Sequence, residues 1–283
     1  MHQPFSHLKA LAFWQTPEVT GWLRLAAHSP LHSWRASEDA KTAVPSSSRR
    51  SLDGLWQFEY FSSPNDVPGD WPATALTTDT VEVPGNWQLQ GHGRPVYTNV
   101  KYPFPVTPPE VPEQNPTGCY RRDFFLEEQD LSGQLRLIFD GVDSAFLVWC
   151  NGQLAGYSQD SRLPAEFDIS ALVHQGDNQV AVMVLRLCDG SYLEDQDMWN
   201  LSGIYRSVSL LFKPQVHITD LRVTATLDEH YQAGVLKVEV LCNRPHSGRV
   251  QVCLFDANGA QVLRHEQPMG TPAVDERGRY KDR

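Results

Sequence analysis

The stretch LWQFEYF, residues 55–61, decides the class of fold because large apolar and polar side chains alternate along it. Trp56, Phe58 and Tyr60 occupy every second position. A period of two puts alternate side chains on opposite faces, so this stretch predicts a half-buried β-strand. Similar short runs follow at 80–83, 119–126, 135–139, 146–150, 179–187 and 206–212. No helical periodicity separates them, so we predict an all-β fold whose main domain is an antiparallel jelly-roll β-sandwich.

Sequence patterns typical of a turn and of a domain boundary divide the chain further. Asn151-Gly152 lies between two apolar runs and predicts a β-hairpin. Lys213-Pro214 marks a domain joint, and new alternating runs follow it at 216–227, 234–242, 249–255 and 260–265. They resemble the first strands of an immunoglobulin-like β-sandwich, but only about 70 residues remain, against ~100 for a complete domain. We therefore predict a truncated immunoglobulin-like domain at 215–283 after a jelly-roll domain at 46–214.

Residues 1–45 form an extended N-terminal arm in this interpretation, because prolines interrupt the segment and its apolar content is too small for a separate core. We expect the arm to lie on the surface of a larger body. Leu23, Leu25 and Ala26 cluster within it and predict one short helix over 19–28.

Composition limits the partners and the compartment. The 283 residues have a formal net charge of −10, which repels phosphate backbones and predicts no nucleic-acid partner. No run of 18 apolar residues is present, which predicts no membrane partner, and the start lacks the pattern of a secretory signal. The five cysteines have no Cys-x-x-Cys spacing, so we predict buried free thiols and a cytoplasmic location.

Two segments contain residues suited to binding, although no known catalytic motif is present. The first, residues 188–199, places four carboxylates within nine residues, followed by Trp199, in a loop between strands. Such a loop suits sugar hydroxyls or a hard cation, but from the residues alone a solvated acidic loop with Trp199 in the core is the favoured alternative. The second, residues 97–105, combines Asn99 with tyrosines and a lysine. Its amide suits a sugar hydroxyl, and an ordinary loop packed by its aromatic residues is the alternative.

The same segments carry a resemblance to a known family. The sequence resembles the large bacterial β-galactosidases, in the glycoside hydrolase family that also contains the β-glucuronidases. The likeness covers nearly the whole chain and is densest over residues 189–206. Its motifs are RLAAH at 24–28, YTNV at 97–100, NPTGCY at 115–120, FDGV at 139–142, QDSRLP at 159–164 and LEDQDMW at 193–199.

The resemblance implies a jelly-roll sugar-binding domain, then an immunoglobulin-like domain, with an (α/β)8 barrel later in the intact protein. In the family this barrel holds magnesium and the two catalytic Glu residues of a retaining mechanism, so this chain is expected to hold no catalytic residue. Asn99 and Asp197 match positions that bind galactose, and Asp197 also matches a sodium ligand. The resemblance further implies a β-galactoside substrate such as lactose and a homotetramer. Glu194 and Asp195 are expected to shape the loop or to pair with nearby basic groups, with Trp199 packed beneath it.

One departure concerns a peripheral magnesium site of close relatives. Phe13 and Thr16 stand where those relatives have Asp and Asn, whereas the matching Gln159 and Asp189 are present. We therefore do not predict that site.

Three hypotheses about function remain open from the sequence. The chain is a non-catalytic part of a β-galactosidase, a stand-alone lectin-like module, or an assembly partner of a separate barrel chain. Within the family β-glucuronidase is the second specificity, but that substrate needs a cationic partner and no Arg or Lys cluster accompanies Asp197.

Overall fold

The computed structural model describes residues 5–42, 44–74, 79–99, 101–194, 196–244, 247–268, 273–274 and 280–281. The chain divides into two units, one comprising Met1–Leu25 and Thr42–Phe212 and the other Ala26–Lys41 and Lys213–Arg283. The segment predicted as an arm is therefore shared between the two units.

Strands dominate the first unit. They are β1 (Gly21–Trp22), β2 (Arg49–Ser51), β3 (Gly54–Phe61), β4 (Thr80–Val83), β5 (Val96–Thr98), β6 (Thr117–Leu126), β7 (Gln134–Phe139), β8 (Ala145–Cys150), β9 (Gln153–Ser158), β10 (Ala165–Asp168), β11 (Gly176–Leu185), β12 (Met198–Asn200) and β13 (Val208–Lys213). The α-helices of the described residues are α1 (Phe5–Leu11), α2 (Ser37–Thr42) and α3 (Ser191–Glu194). Short 3₁₀ helices lie at Phe13–Gln15, Pro64–Asp66, Trp71–Ala73, Trp87–Gln90 and Glu128–Leu131.

Two sheets form the sandwich of the first unit. One has seven strands in the order β1-β9-β8-β11-β6-β3-β4, and the other has four in the order β10-β7-β13-β2. The sheets enclose a core to which Trp56, Phe58, Phe139 and Phe167 contribute fully buried rings. Each predicted run coincides with an observed strand to within a few residues, and the predicted all-β jelly-roll class is confirmed.

The seven-stranded sheet is buried on both faces at its centre. Along β8, Phe146, Val148 and Cys150 belong to the core between the sheets. The alternate residues Leu147 and Trp149 belong to a second core on the outer face. This double burial explains why β8 is an uninterrupted apolar run, since neither face meets water.

The N-terminal segment covers that outer face. Phe5, Leu8 and Trp14 are at most 5% exposed, and the Phe5 ring meets Trp149 edge-on at 6.2 Å between centroids. The helix predicted over 19–28 was wrong, because residues Gly21 and Trp22 form β1 and pair with β9. Backbone pairing with an existing sheet outweighed a weak local helical pattern.

The hairpin between β8 and β9 is confirmed. Asn151 and Gly152 both have positive φ, 50° and 72°. A two-residue turn with positive φ at both positions matches the right-handed twist of the flanking strands, and Asn-Gly adopts it with little strain.

The second unit is also built from antiparallel strands: β14 (Ile218–Leu227), β15 (Gly234–Cys242), β16 (Arg249–Phe255), β17 (Gln261–Pro268), β18 (Ala273–Val274) and β19 (Tyr280–Lys281). β14 pairs with β15, and β16 pairs with β17. A groove of ≈ 430 Å³ is lined by apolar residues of β15, β16 and β17, among them Leu236, Val252 and Leu263. Many apolar side chains of this unit are exposed, Val223 by 57% for example.

The cysteines of the described residues carry free thiols, and Cys119, Cys150, Cys188 and Cys242 are buried as predicted. Burial raises the pKa of the Cys150 thiol to about 12, which makes it unreactive at neutral pH. Among the residues that the structure describes, no helix reaches the length and hydrophobicity that a membrane span requires.

Candidate functional site

A two-stranded ribbon of β5 and β12 brings the two predicted binding segments together. The strands are antiparallel, with Thr98 opposite Met198 and Tyr97 opposite Trp199. Continuing that register by one position places Asn99 opposite Asp197. The two predicted site residues, 98 positions apart in the chain, are thus neighbours at one end of the ribbon.

One face of the ribbon, which we call the ribbon face, consists of Tyr97, Asn99, Asp197 and Trp199. Side chains alternate along a strand, so positions 97 and 99 share a face, as do positions 197 and 199. The Tyr97 hydroxyl donates a hydrogen bond to Asp197 Oδ1. This contact runs diagonally across the ribbon, as expected for side chains on a common face.

Electrostatic coupling links three of these side chains. The hydrogen bond to Asp197 raises the pKa of the Tyr97 hydroxyl, and the Asn99 side chain acts in the opposite direction through a hydrogen bond. Tyr97 therefore remains a neutral donor at physiological pH and orients the Asp197 carboxylate. Asp197 Oδ2 accepts no hydrogen bond from a described residue and stays available to a ligand.

The aromatic pair of the ribbon face is open to solvent. Tyr97 and Trp199 are 52% and 59% exposed, with ring centroids 5.7 Å apart. The expectation that Trp199 packs beneath the loop was wrong, because cross-strand pairing with Tyr97 directs the indole outward. Exposed aromatic rings beside an amide and a carboxylate combine apolar area with polar groups, as small-molecule sites require.

Glu194 fixes the segment that leads into β12. Its carboxylate accepts hydrogen bonds from Ser161 N at 2.9 Å and from Ser161 Oγ at 2.7 Å, and Ser161 is fully buried. The expectation that Glu194 shapes the loop is thus confirmed, although its partners are a serine amide and hydroxyl rather than a basic group. Asp195 lies outside the described residues.

The reverse side of the ribbon rests on Arg162. Its guanidinium forms an ion pair with Asp143 at 3.0 Å and approaches Met198 Sδ at 3.8 Å. Tyr205 accepts a further hydrogen bond from Arg162 at 3.4 Å and donates its own to Ser161 O at 2.5 Å. Burial raises the pKa of Asp143 to about 7, against the opposing effect of the arginine. Residues 143, 161, 162 and 205 therefore form one network behind Met198.

The segment after β5 is fixed to α3 by tyrosines. Tyr102 donates a hydrogen bond to Tyr192 O at 2.6 Å, and the Tyr192 hydroxyl donates to Glu110 O at 2.5 Å. Thr98 donates to Lys101 O at the turn that follows Asn99. The two segments of the site are thus joined to each other as well as to the sandwich.

The described residues supply few ligands for a metal. No group of three or more His, Cys, Asp or Glu side chains in the described part of the chain is arranged to hold an ion. Asp189 is buried, and its Oδ2 has no hydrogen-bond partner. The Phe13 ring nearby packs on Trp22 and Tyr157 at 5.1 and 5.6 Å, and Thr16 Oγ1 donates to the Ala12 carbonyl. The donor set for the peripheral magnesium site is therefore incomplete among these residues.

The sequence analysis gave no specific role in the site to Tyr97, although it lies in the candidate segment 97–105, or to Arg162. Tyr97 lies two positions before Asn99, and its hydroxyl, a possible hydrogen-bond donor, was the sequence feature that could have indicated its role. Arg162 lies in QDSRLP, which carried the resemblance, but only the fold places it behind Met198.

Comparison with known proteins identifies the family of the chain. Residues 49–214 match the family model described as "Glycosyl hydrolases family 2, sugar binding domain". The chain is 51% identical, over 98% of its length, to a protein named "Beta-galactosidase" from Erwinia tasmaniensis, and 49% identical over 95% to one from Yersinia pestis. In both cases it spans 27% of the relative's length.

Solved structures show the same fold. A β-glucuronidase of an uncultured Clostridium species superimposes with a TM-score of 0.61 at 18% identity, covering 82% of this chain and 46% of that one. A β-glucuronidase from Ruminococcus gnavus gives 0.61 at 20% identity, covering 84% and 40%. At these identities the likeness concerns the fold alone.

Proposed function

Because this chain belongs to family 2 of the glycosyl hydrolases, we propose that it is the non-catalytic N-terminal portion of a β-galactosidase, contributing Asn99 and Asp197 to the galactose pocket. The supporting observation is the register of the ribbon, whose extension by one position beyond Thr98 and Met198 puts these two residues opposite each other. The intact protein would hydrolyse terminal β-D-galactosides such as lactose, in the cytoplasm and as a homotetramer.

The chemistry of the ribbon face suits a neutral sugar. The Asp197 carboxylate accepts hydrogen bonds from hydroxyl groups, and the Asn99 amide both donates and accepts. Tyr97 occupies one carboxylate oxygen and leaves the other for the sugar. An anionic sugar would be repelled by Asp197, so the proposal favours a galactoside over a glucuronide.

The ribbon face lacks the groups for hydrolysis. A retaining mechanism needs two carboxyl groups about 5 Å apart on either side of the glycosidic bond. Glu194 is held by Ser161, so Asp197 is the one carboxylate that the described residues of the ribbon face present. We therefore propose that the catalytic Glu pair and its magnesium belong to a barrel in the remainder of the intact protein.

A sodium ion is part of the proposal. Carboxylate and amide oxygens are the hard donors that such cations prefer. Asp197 Oδ2 and the Asn99 amide oxygen fit that donor type, but a full shell needs more oxygens than these residues supply. Asp197 would hold the ion together with groups from the remainder of the protein, and the ion would neutralise its charge beside the sugar.

A chimera tests this proposal. The chain replaces the matching quarter of the Erwinia tasmaniensis relative, and hydrolysis of a chromogenic β-galactoside is measured. We expect Asn99→Ala to lower kcat/KM by the equivalent of about 1–3 kcal/mol, as for one unmade hydrogen bond in a closed site. Asp197→Ala should lower activity further and abolish its dependence on sodium.

Asp177→Ala serves as the matched control, because this exposed carboxylate lies on β11, away from the ribbon. Wild-type kinetics in both site variants would remove the assignment. Equal losses in the control would show that the chimera reports stability rather than binding.

A further inference from the structure

A cavity separate from the proposed galactose pocket lies on the reverse side of the ribbon, within the first unit. It has a volume of ≈ 380 Å³, and Val96 of β5 and Asn200 of β12 form its roof. Its walls combine apolar residues, among them Phe104, Leu187 and four prolines, with the polar residues Ser62 and Gln114. Two polar groups that the proposed galactose pocket does not use, Arg186 and Tyr60, also line it.

Arg186 brings a positive charge into this cavity without a carboxylate partner. Its Nε donates to Asn200 Oδ1 at 2.9 Å, and its Nη2 approaches Asn200 O at 3.4 Å. It forms no ion pair with a described carboxylate. Asp143, the one carboxylate that acts on it electrostatically, is already paired with Arg162. Burial lowers the pKa of Arg186, so its unpaired charge is held at a cost that an anion would remove.

Tyr60 supplies a second donor beside the guanidinium. Its ring is half-buried, packed against Trp87 and His92 at centroid distances of 6.2 and 6.1 Å. Its hydroxyl makes no hydrogen bond with a described residue. Burial raises its pKa while Arg186 acts in the opposite direction, which places the two groups within electrostatic range. The phenol therefore stays protonated at neutral pH and can donate.

We propose that this cavity binds a carboxylate group, with the Arg186 guanidinium and the Tyr60 hydroxyl as its two donors. A guanidinium presents several N–H groups in a plane that matches a carboxylate. The bonds to Asn200 use one edge of Arg186 and leave Nη1 for the ligand. Arg186 is the one cationic side chain among the described residues that line the cavity, which suits a single negative charge better than a phosphate dianion.

Two sources could provide this carboxylate. One is a small free carboxylic acid, for which the cavity has ample room. The other is an Asp or Glu side chain from the remainder of the intact protein, since the curated relatives are about four times as long as this chain. Because Asn200 belongs to β12, either ligand would brace the ribbon from its reverse side.

Nuclear magnetic resonance of the purified 283-residue chain tests the proposal. The protein is labelled with ¹⁵N-arginine, and the Nε–H signal of Arg186 is assigned by its absence in Arg186→Gln or, if that variant does not fold, in Arg186→Lys. Acetate and N-acetylglutamate amide are titrated separately. Acetamide and N-acetylglutamine amide are the matched neutral probes, and the Arg162 signal is the internal control.

We expect a saturable shift of the Arg186 signal with N-acetylglutamate amide or acetate, none with either amide, and no change at Arg162. Tyr60→Phe should weaken the binding several-fold while leaving the fold intact. A response to acetate identifies a free acid as a sufficient ligand, and a response to the glutamate derivative alone identifies a side chain. The absence of a saturable shift with both acids, or equal shifts with the neutral probes, would overturn the proposal.

Discussion

Replacing Glu194 is the sharpest test of how the ribbon is positioned. Its carboxylate accepts two hydrogen bonds from Ser161, at 2.9 and 2.7 Å, and Ser161 is fully buried. A hydrogen bond to a charged group contributes about 1.5–3 kcal/mol, and an unsatisfied buried donor costs a similar amount. Glu194→Ala removes both acceptors, so we expect the free energy of unfolding of the first unit to fall by about 3 kcal/mol.

Two milder changes calibrate that value. Glu194→Gln keeps one carbonyl oxygen, and its amide can donate to the serine hydroxyl, so we expect a loss of about 1 kcal/mol. Ser161→Ala removes the hydroxyl but keeps the backbone donor, so we expect about 1.5 kcal/mol. In the double variant, Glu194→Ala with Ser161→Ala, the losses should be less than additive, because the residues are direct partners.

Urea unfolding followed by tryptophan fluorescence is the assay. It reports the first unit, because of the eight tryptophans only Trp34 belongs to the second. Glu113→Ala is the matched control, since its side chain is exposed and makes no hydrogen bond with a described residue. A loss for Glu194→Ala within about 0.5 kcal/mol of that control, the range of ordinary surface substitutions, would refute the anchoring role.

Three further outcomes follow from burial, packing and charge, each measured by chemical unfolding. Phe5→Ala should lower the free energy of unfolding by about 3–5 kcal/mol, because the ring is fully buried against Trp149. Leu11→Ala should lower it little, because Leu11 is 44% exposed. Equal effects would contradict the covering role of the N-terminal segment. Gly118→Ala should lower the free energy of unfolding by about 1–3 kcal/mol, because the added Cβ would lie 2.6 Å from Trp87. Gly234→Ala should leave it nearly unchanged, because the Cβ there would have no atom within 4 Å. Burial raises the pKa of Asp143 from 3.8 to about 7, so its contribution to stability is full below pH 3.8 and lost as pH rises through about 7. The stability of the wild type relative to Asp143→Asn, which does not titrate, should therefore fall over that range, and a constant difference would contradict a raised pKa.

Long alternating runs were the part of the fold that sequence could predict. β3, β6, β11 and β15 carry their period or their unbroken apolar character within the strand itself. Asn151-Gly152 fixed a turn by local backbone preference alone. These elements need no knowledge of their partners, because the local pattern already distinguishes a buried face from a solvated one.

The two-stranded ribbon could not be predicted from local sequence patterns. β5 and β12 have three residues each, too few for a period, and they pair across about one hundred positions of chain. The outward direction of Trp199 depends on that pairing and was therefore predicted wrongly. The resemblance indicated Asn99 and Asp197 separately. That they lie opposite each other follows from the strand register, and the hydrogen bond from Tyr97 to Asp197 is seen only in the structure. β1 was missed for the same reason, since its two residues owe their conformation to β9.

Turnover of a chromogenic β-galactoside by the purified chain, compared with the chimera that joins it to the remainder of the Erwinia tasmaniensis relative, tests the central claim most directly. If the chain supplies binding residues to a pocket whose catalytic carboxylates lie elsewhere, the chimera hydrolyses the substrate and the chain alone does not. Hydrolysis by the chain alone would contradict the account, because two of its own carboxylates would then have to perform the reaction.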